Sequence, residues 1–392
     1  LQRRNTAALI AGSLLLLTAC SPDATPPAEA EKPHGYVEGA AELTEPQLTL
    51  ATVDAAGELA LLDLIDESVE AVGTIDGVTA VSTDGRFVFA TGTEGVTIVD
   101  TGVWTVDHED HSHYYRASPA VVGTVEGEGD AALTGGGTVT AITFAASGES
   151  VLLDSAALGD GEIVEVDRLS ADLVAPFGAA TLVAADGMLT VRDQADTGIA
   201  CADPRGTIAT RVGVVVGCDD GAILATMAAE TVSFEAVPYP AAVAEAERAT
   251  EFRGRPGRPT VAALAGTSGF WLLDTRERSW ALLPTESPLL LVAAADDTDG
   301  HVVALASDGR ILTIDGATGS TLAATGPLLA ATVADPALLA GVELTVDANR
   351  AYVNAPAEGA VYEIDYADGA RVARTFETPD SPMYFAETGR LS

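Results

Sequence analysis

The sequence predicts an all-β fold, a β-propeller of eight four-stranded blades with seven as the alternative count. Three observations carry that prediction. Beyond residue 47 the apolar residues fall in short alternating or continuous runs bounded by Gly, Asp and Ser, with almost no sustained 3.6-residue period, which is the pattern of strands. A Gly followed five or six residues later by an Asp that closes an apolar run recurs along the chain. From Asp63 to Asp365 these units are spaced by about 43 residues, the length of a four-stranded blade.

In chain order the units are Gly57–Asp63, Gly95–Asp100, Gly148–Asp154, Gly187–Asp193, Gly221–Met227, Gly269–Asp274, Gly309–Asp315 and Gly359–Asp365, with Met227 standing where the others have Asp. A strand precedes the Gly turn, as in Phe87–Gly92, Val214–Cys218 and Ala351–Ala355. The Gly turn makes the central hairpin, and the Asp closes the next strand where its side chain can accept from the following backbone N–H groups. An outer strand comes last, as in Val69–Ile75 or Ser320–Thr325. The first unit has no strand ahead of Gln47-Leu48 and the last leaves Met383–Ala386 over, so pairing the two closes the ring and removes the exposed edges. Residues 47–392 are therefore expected to be one domain, and the helical exceptions short.

The chain carries 58 Asp and Glu against 20 Lys and Arg, with Lys32 the only lysine, so no basic stripe exists to neutralise phosphates and nucleic acid is excluded as a partner. A net charge of -38 attracts cations, although an acidic, lysine-poor composition can equally reflect habitat.

Residues 1–19 have the parts of an export signal: Arg3 and Arg4, an apolar run from Ala7 to Leu17, and a small-residue end before Cys20. The Leu17-Thr18-Ala19-Cys20 ending resembles a bacterial lipobox, which implies cleavage before Cys20 and lipid attachment to it; an ordinary signal peptide is the alternative. Residues 20–46 then form a lipidated tether, rich in Pro and Ala from Ser21 to Pro33, that holds the domain on the outer face of the cytoplasmic membrane. The two remaining cysteines, Cys201 and Cys218, are read as a structural disulfide of an exported protein, contributing about 3 kcal/mol in the chain-entropy model. Their spacing is far from that of a zinc thiolate pair.

Three of the five histidines lie in the run Asp107-His108-Glu109-Asp110-His111-Ser112-His113-Tyr114-Tyr115-Arg116, on an expected long loop inserted before the outer strand of the second unit. His111 and His113 are two apart, so in an extended segment both imidazoles leave one side, and His108 can fold back to add a third nitrogen. Imidazoles with nearby carboxylates, here Glu109 and Asp110, suit zinc, with copper(II) the alternative. His34 is the candidate fourth ligand, because the tail carrying it enters the first blade on the face that bears the insertion. The competing reading is a solvated acidic loop whose histidines cap turns or sense pH. His301 reads as a lone surface histidine, Trp271 and Trp280 as packing, Gly135–Gly137 as a hairpin turn, and Arg253, Arg255 and Arg258 as a solvated loop. No G-x-S-x-G elbow, P-loop or dinucleotide fingerprint occurs.

The motif His34-Gly35-Tyr36-Val37-Glu38-Gly39-Ala40 with Glu45-Pro46-Gln47, the histidine run and the repeats together resemble the AztD-type zinc metallochaperones. These are exported bacterial β-propellers associated with zinc ABC importers, and they pass zinc to the importer's solute-binding protein. The resemblance implies His108, His111 and His113 as metal ligands, with His34 as a candidate. The family's further histidines, in the body of the propeller or in a flexible His-rich stretch, have no counterpart here. The expectation is thus a lipid-anchored monomer that binds zinc and delivers it without catalysing a reaction, by ligand exchange on a mobile loop. Binding of this kind weakens as pH falls through the imidazole pKa of about 6.5. A metal-free interaction scaffold and a metal-dependent propeller hydrolase or lactonase are the alternatives.

Overall fold

The computed structural model describes residues 37–108, 111–378 and 381–390. The predicted Cys20 anchor, the export signal, His34, Glu109 and Asp110 lie outside them. Among the described residues the fold is all-β, with seven four-stranded and two three-stranded antiparallel sheets and a few helices of three to five residues. None of these helices is long and apolar enough to cross a membrane.

Eight of the sheets follow one another along the chain. The strands at the Gly turns are buried along nearly their whole length, as in Phe87–Gly92 and Ala351–Ala355, because both sheet faces pack against neighbouring sheets. Outer strands such as Val69–Thr74 are largely exposed, with no fully buried residue. The Asp residues that end the strands cap the next turn: Asp63 accepts from the backbone of Ile65, Asp100 from Gly102, Asp154 from Ala156 and Ala157, Asp274 from Arg276 and Asp315 from Ala317. Asp365 instead pairs with Arg350 and Arg371. Asp193 lies beyond the end of its strand, Met188–Val191, with a positive φ of 61°.

The spare C-terminal strand pairs with the first unit as expected: Tyr384–Thr388 runs antiparallel to Thr49–Val53, with Thr49 opposite Thr388 and their hydroxyls 2.7 Å apart. Leu50, Leu62 and Phe385 of this sheet share one apolar cluster with Tyr352, Val361 and Phe376 of the eighth. Other clusters join the sheets in between; one packs Phe87 and Phe89 against Ile142 and Phe144.

Three expectations are corrected. The sixth sheet, with strands Thr260–Leu264, Phe270–Asp274 and Ser279–Leu283, has three strands and not four. Its missing strand is replaced by the Arg253–Pro259 segment, held by isolated bridges from Arg253 to Ala262 and from Gly254 to Ala294; two prolines that lack an N–H preclude a regular ladder there. That segment is no solvated loop, since Arg253 pairs with Glu343 and Arg258 with Asp296. The histidine insertion is a β-hairpin rather than a long loop. Its strands Val103–Asp107 and Ser112–Arg116 are rich in β-branched and aromatic residues, and Ala41–Leu43, from the stretch read as tether, adds a third strand.

The Cys201–Cys218 disulfide is present and links the end of the fourth sheet to the strand Val214–Cys218 of the fifth. Trp271 and Trp280 are buried with Tyr239 in the core between the fifth and sixth sheets.

Candidate metal centre

The hairpin leaves the second sheet at Gly102, whose φ of 74° and close approach to the Ala117 carbonyl leave no room for a side chain. The Ala117 N–H donates to the Gly102 carbonyl at 2.7 Å and closes the hairpin base. Higher up, Thr105 donates through its backbone and hydroxyl to the Arg390 and Gly389 carbonyls, so the C-terminal segment braces one edge. On the other side Arg116 pairs with Asp63 of the first sheet.

The ladder register sets which side chains meet. Trp104 lies opposite Tyr115, Val106 opposite His113, and Asp107 opposite Ser112, and the turn is closed by the His108 N–H donating to the His111 carbonyl at 2.8 Å. His113 and Tyr115, two apart on one strand, share a face, and Glu42, opposite Tyr115 on the third strand, is the diagonal neighbour of His113. Nδ1 of His113 lies 2.5 Å from Oε1 of Glu42. Burial and the Glu42 charge push the Tyr115 phenol above its ordinary range.

Three imidazoles converge where the sequence places them. The ring centroids of His108, His111 and His113 are 5.3, 5.1 and 4.8 Å apart in pairs. Nε2 of His111 and Nε2 of His113 are 3.0 Å apart. Because a carboxylate oxygen accepts, Nδ1 of His113 donates to Glu42; in the neutral ring Nε2 then holds the lone pair and accepts from the Nε2–H of His111. Two nitrogens bound to one tetrahedral zinc at about 2.0–2.1 Å sit about 3.3 Å apart, so a few tenths of an ångström would convert this proton-bridged pair into a metal-bridged one. Among the described residues, no group of three or more His, Cys, Asp or Glu side chains already has the geometry of a metal site. What these residues supply is a converging donor set, with one imidazole oriented by a carboxylate as in many zinc sites.

His301 is not the lone surface histidine expected. Its Nδ1 lies 2.6 Å from Oδ2 of Asp297, its backbone N–H donates to Oδ1 of the same residue, and its ring meets Tyr366 edge-on. A separate cavity of about 240 Å³ is lined by Asp84, Arg253, Glu343, Glu387 and Arg390, with Arg253 paired to Glu343 and Arg390 to Glu387. Burial raises the carboxyls of Glu343 and Glu387 above their usual range, against the opposing pull of the two arginines.

Glu42 was missed by sequence reasoning although it lies between the two quoted halves of the N-terminal motif; no spacing rule relates it to a histidine 71 residues later.

No protein-family profile matches the sequence, and no curated protein matches it. Among solved structures, apo AztD from Citrobacter koseri superposes with a TM-score of 0.72 at 16% identity, covering 88% of this chain and 98% of that one. The chain has an AztD-type fold. A second structure of Citrobacter koseri AztD gives a TM-score of 0.69 at the same identity and coverage. The dihydro-heme d1 dehydrogenase NirN is less similar, with a TM-score of 0.54 at 16% identity over 88% of this chain and 76% of its own.

Proposed function

We propose that this protein is a lipid-anchored, extracytoplasmic zinc-binding propeller that delivers zinc to the solute-binding protein of a metal ABC importer and is not an enzyme. Zinc is cargo in this reading. The observation that carries it is the convergence of His108, His111 and His113, with Nδ1 of His113 on Glu42. The AztD-type fold and the N-terminal motif containing His34 support the same reading. We further read the eight successive sheets as eight blades of a closed ring, supported by the pairing of Tyr384–Thr388 with Thr49–Val53 and by the core shared between the first and eighth sheets.

The test is zinc titration of the protein against a competing chelator, beside a His108→Ala/His111→Ala/His113→Ala variant, followed by transfer of the bound zinc to the importer's solute-binding protein. One tight equivalent that the variant lacks, and that moves to the acceptor, is expected. Equal weak binding by both proteins sinks the proposal. A metal-dependent hydrolase would instead draw on the charged cavity at Arg253 and Glu343, and it predicts turnover that Glu343→Gln abolishes while the histidine variant leaves zinc binding unchanged.

A further inference from the structure

The three converging imidazoles are not held alike. His113 is 7% exposed, and its ring stacks on Tyr115 at 6.1 Å between centroids and 22° between planes. Tyr115, itself buried, stacks on Trp104 at 5.0 Å and 20°. Cζ of Arg86 lies 3.9 Å from the centroid of the Trp104 ring. The same guanidinium donates to both oxygens of Asp100, at 3.2 and 2.6 Å, and to the Gly159 carbonyl at 3.1 Å. A column of contacts therefore runs from the bodies of the second and third sheets up to one imidazole. His108 and His111 are exposed and flank the hairpin turn, beyond the last ladder pair, Asp107 with Ser112.

We propose that the site has one fixed ligand and two exchangeable ones: Arg86, Trp104 and Tyr115 are positioning residues that hold His113, and metal leaves through His108 and His111. This rests on the zinc-binding reading above. Ligand exchange proceeds one bond at a time, and the ligand that yields first is the one whose side chain can swing away without disturbing packed neighbours. His113 cannot do so while its ring is stacked and its Nδ1 is held by Glu42. His108 and His111 contact each other and, through His111, His113, but both are exposed at the turn, so they can turn away without disturbing the packed sheets, and they face the solvent from which an acceptor's ligands arrive. The fixed imidazole meanwhile keeps the metal in place with its ordering entropy already spent in folding. The sequence places all three histidines in one run with nothing to rank them; the ranking comes from the column beneath His113.

The experiment compares Co²⁺ absorption spectra and the rate of Zn²⁺ release to a chelator for the unaltered protein, His108→Ala, His111→Ala, His113→Ala, Tyr115→Leu and Tyr115→Phe. His113→Ala is expected to abolish tight binding, whereas His108→Ala and His111→Ala retain it but release zinc faster. Tyr115→Leu should weaken binding by about 10-fold or more, as loss of a supporting group around a metal ligand does, and should change the Co²⁺ spectrum, while Tyr115→Phe keeps the stack and restores both. Equal losses from all three histidine variants, or an unchanged spectrum and release rate in Tyr115→Leu, overturn the proposal. Should Tyr115→Leu fail to fold, as circular dichroism reports, the comparison of His108→Ala with His113→Ala still decides. An unaltered protein that binds neither metal overturns the zinc reading together with this one, whereas tight binding with equivalent histidines overturns this one alone.

Discussion

Nδ1 of His113 and Oε1 of Glu42 lie 2.5 Å apart on two strands of the hairpin sheet, although 71 residues separate them in the chain. This contact selects the tautomer in which Nε2 of His113 carries the lone pair, and it turns that nitrogen towards His111. Glu42→Gln keeps the shape and removes the charge. Its zinc affinity, measured by chelator competition, should fall by about 10–100-fold, with the melting temperature of the metal-free protein little changed because the carboxylate is nearly half exposed. Unchanged affinity would show that Glu42 does not act on the metal site.

Zinc should also stabilise the folded state, since the converging imidazoles exist only there. At a free concentration 100 times the Kd the gain is about 2.7 kcal/mol, visible as a rise in melting temperature by calorimetry. The triple histidine variant should show no rise. An equal rise in both proteins would place the metal elsewhere.

The Cys201–Cys218 bond staples adjacent sheets far from the hairpin in sequence. Replacing both cysteines by serine should lower stability by about 2–4 kcal/mol in denaturant titration and leave zinc stoichiometry intact. A change in stoichiometry would instead implicate these sulfurs in metal binding.

Glu387 is almost fully buried between Arg390 and Thr345, and burial raises its carboxyl pKa. The sign follows from linkage: the folded state holds its proton more tightly than the unfolded chain, so the contribution is fully present below the unfolded value of about 4.3 and is lost as pH rises through the higher folded value. Glu387→Gln should therefore flatten the fall in melting temperature on going from mildly acidic to neutral pH. A slope identical to that of the unaltered protein would contradict this.

Removing residues 384–392 deletes the strand that pairs with Thr49–Val53, together with the carbonyls that accept from Thr105. The first sheet would present an unpaired edge and the hairpin would lose a brace. Loss of a single cooperative unfolding transition, accompanied by aggregation, is the expected result; a truncated protein that melts as sharply as the full chain would mean that this pairing is dispensable.

The sequence by itself determined the strand content, the 43-residue period, the capping Asp turns, the use of the C-terminal strand, the disulfide partners and the clustering of three histidines at one insertion. Each of these is local or periodic: alternation records which face is buried, and Gly and Asp record where the chain must turn. Tertiary structure alone decided that the insertion is a hairpin completed by Ala41–Leu43, that Glu42 orients His113, and that Arg86, Trp104 and Tyr115 stack beneath it. It also decided that the Arg253–Pro259 segment takes the place of a strand, with Arg253 committed to Glu343, 90 residues away. These are contacts between segments remote in the chain, set by strand register and by the packing of sheet on sheet, and side-chain periodicity within a strand carries no record of which distant strand lies beside it.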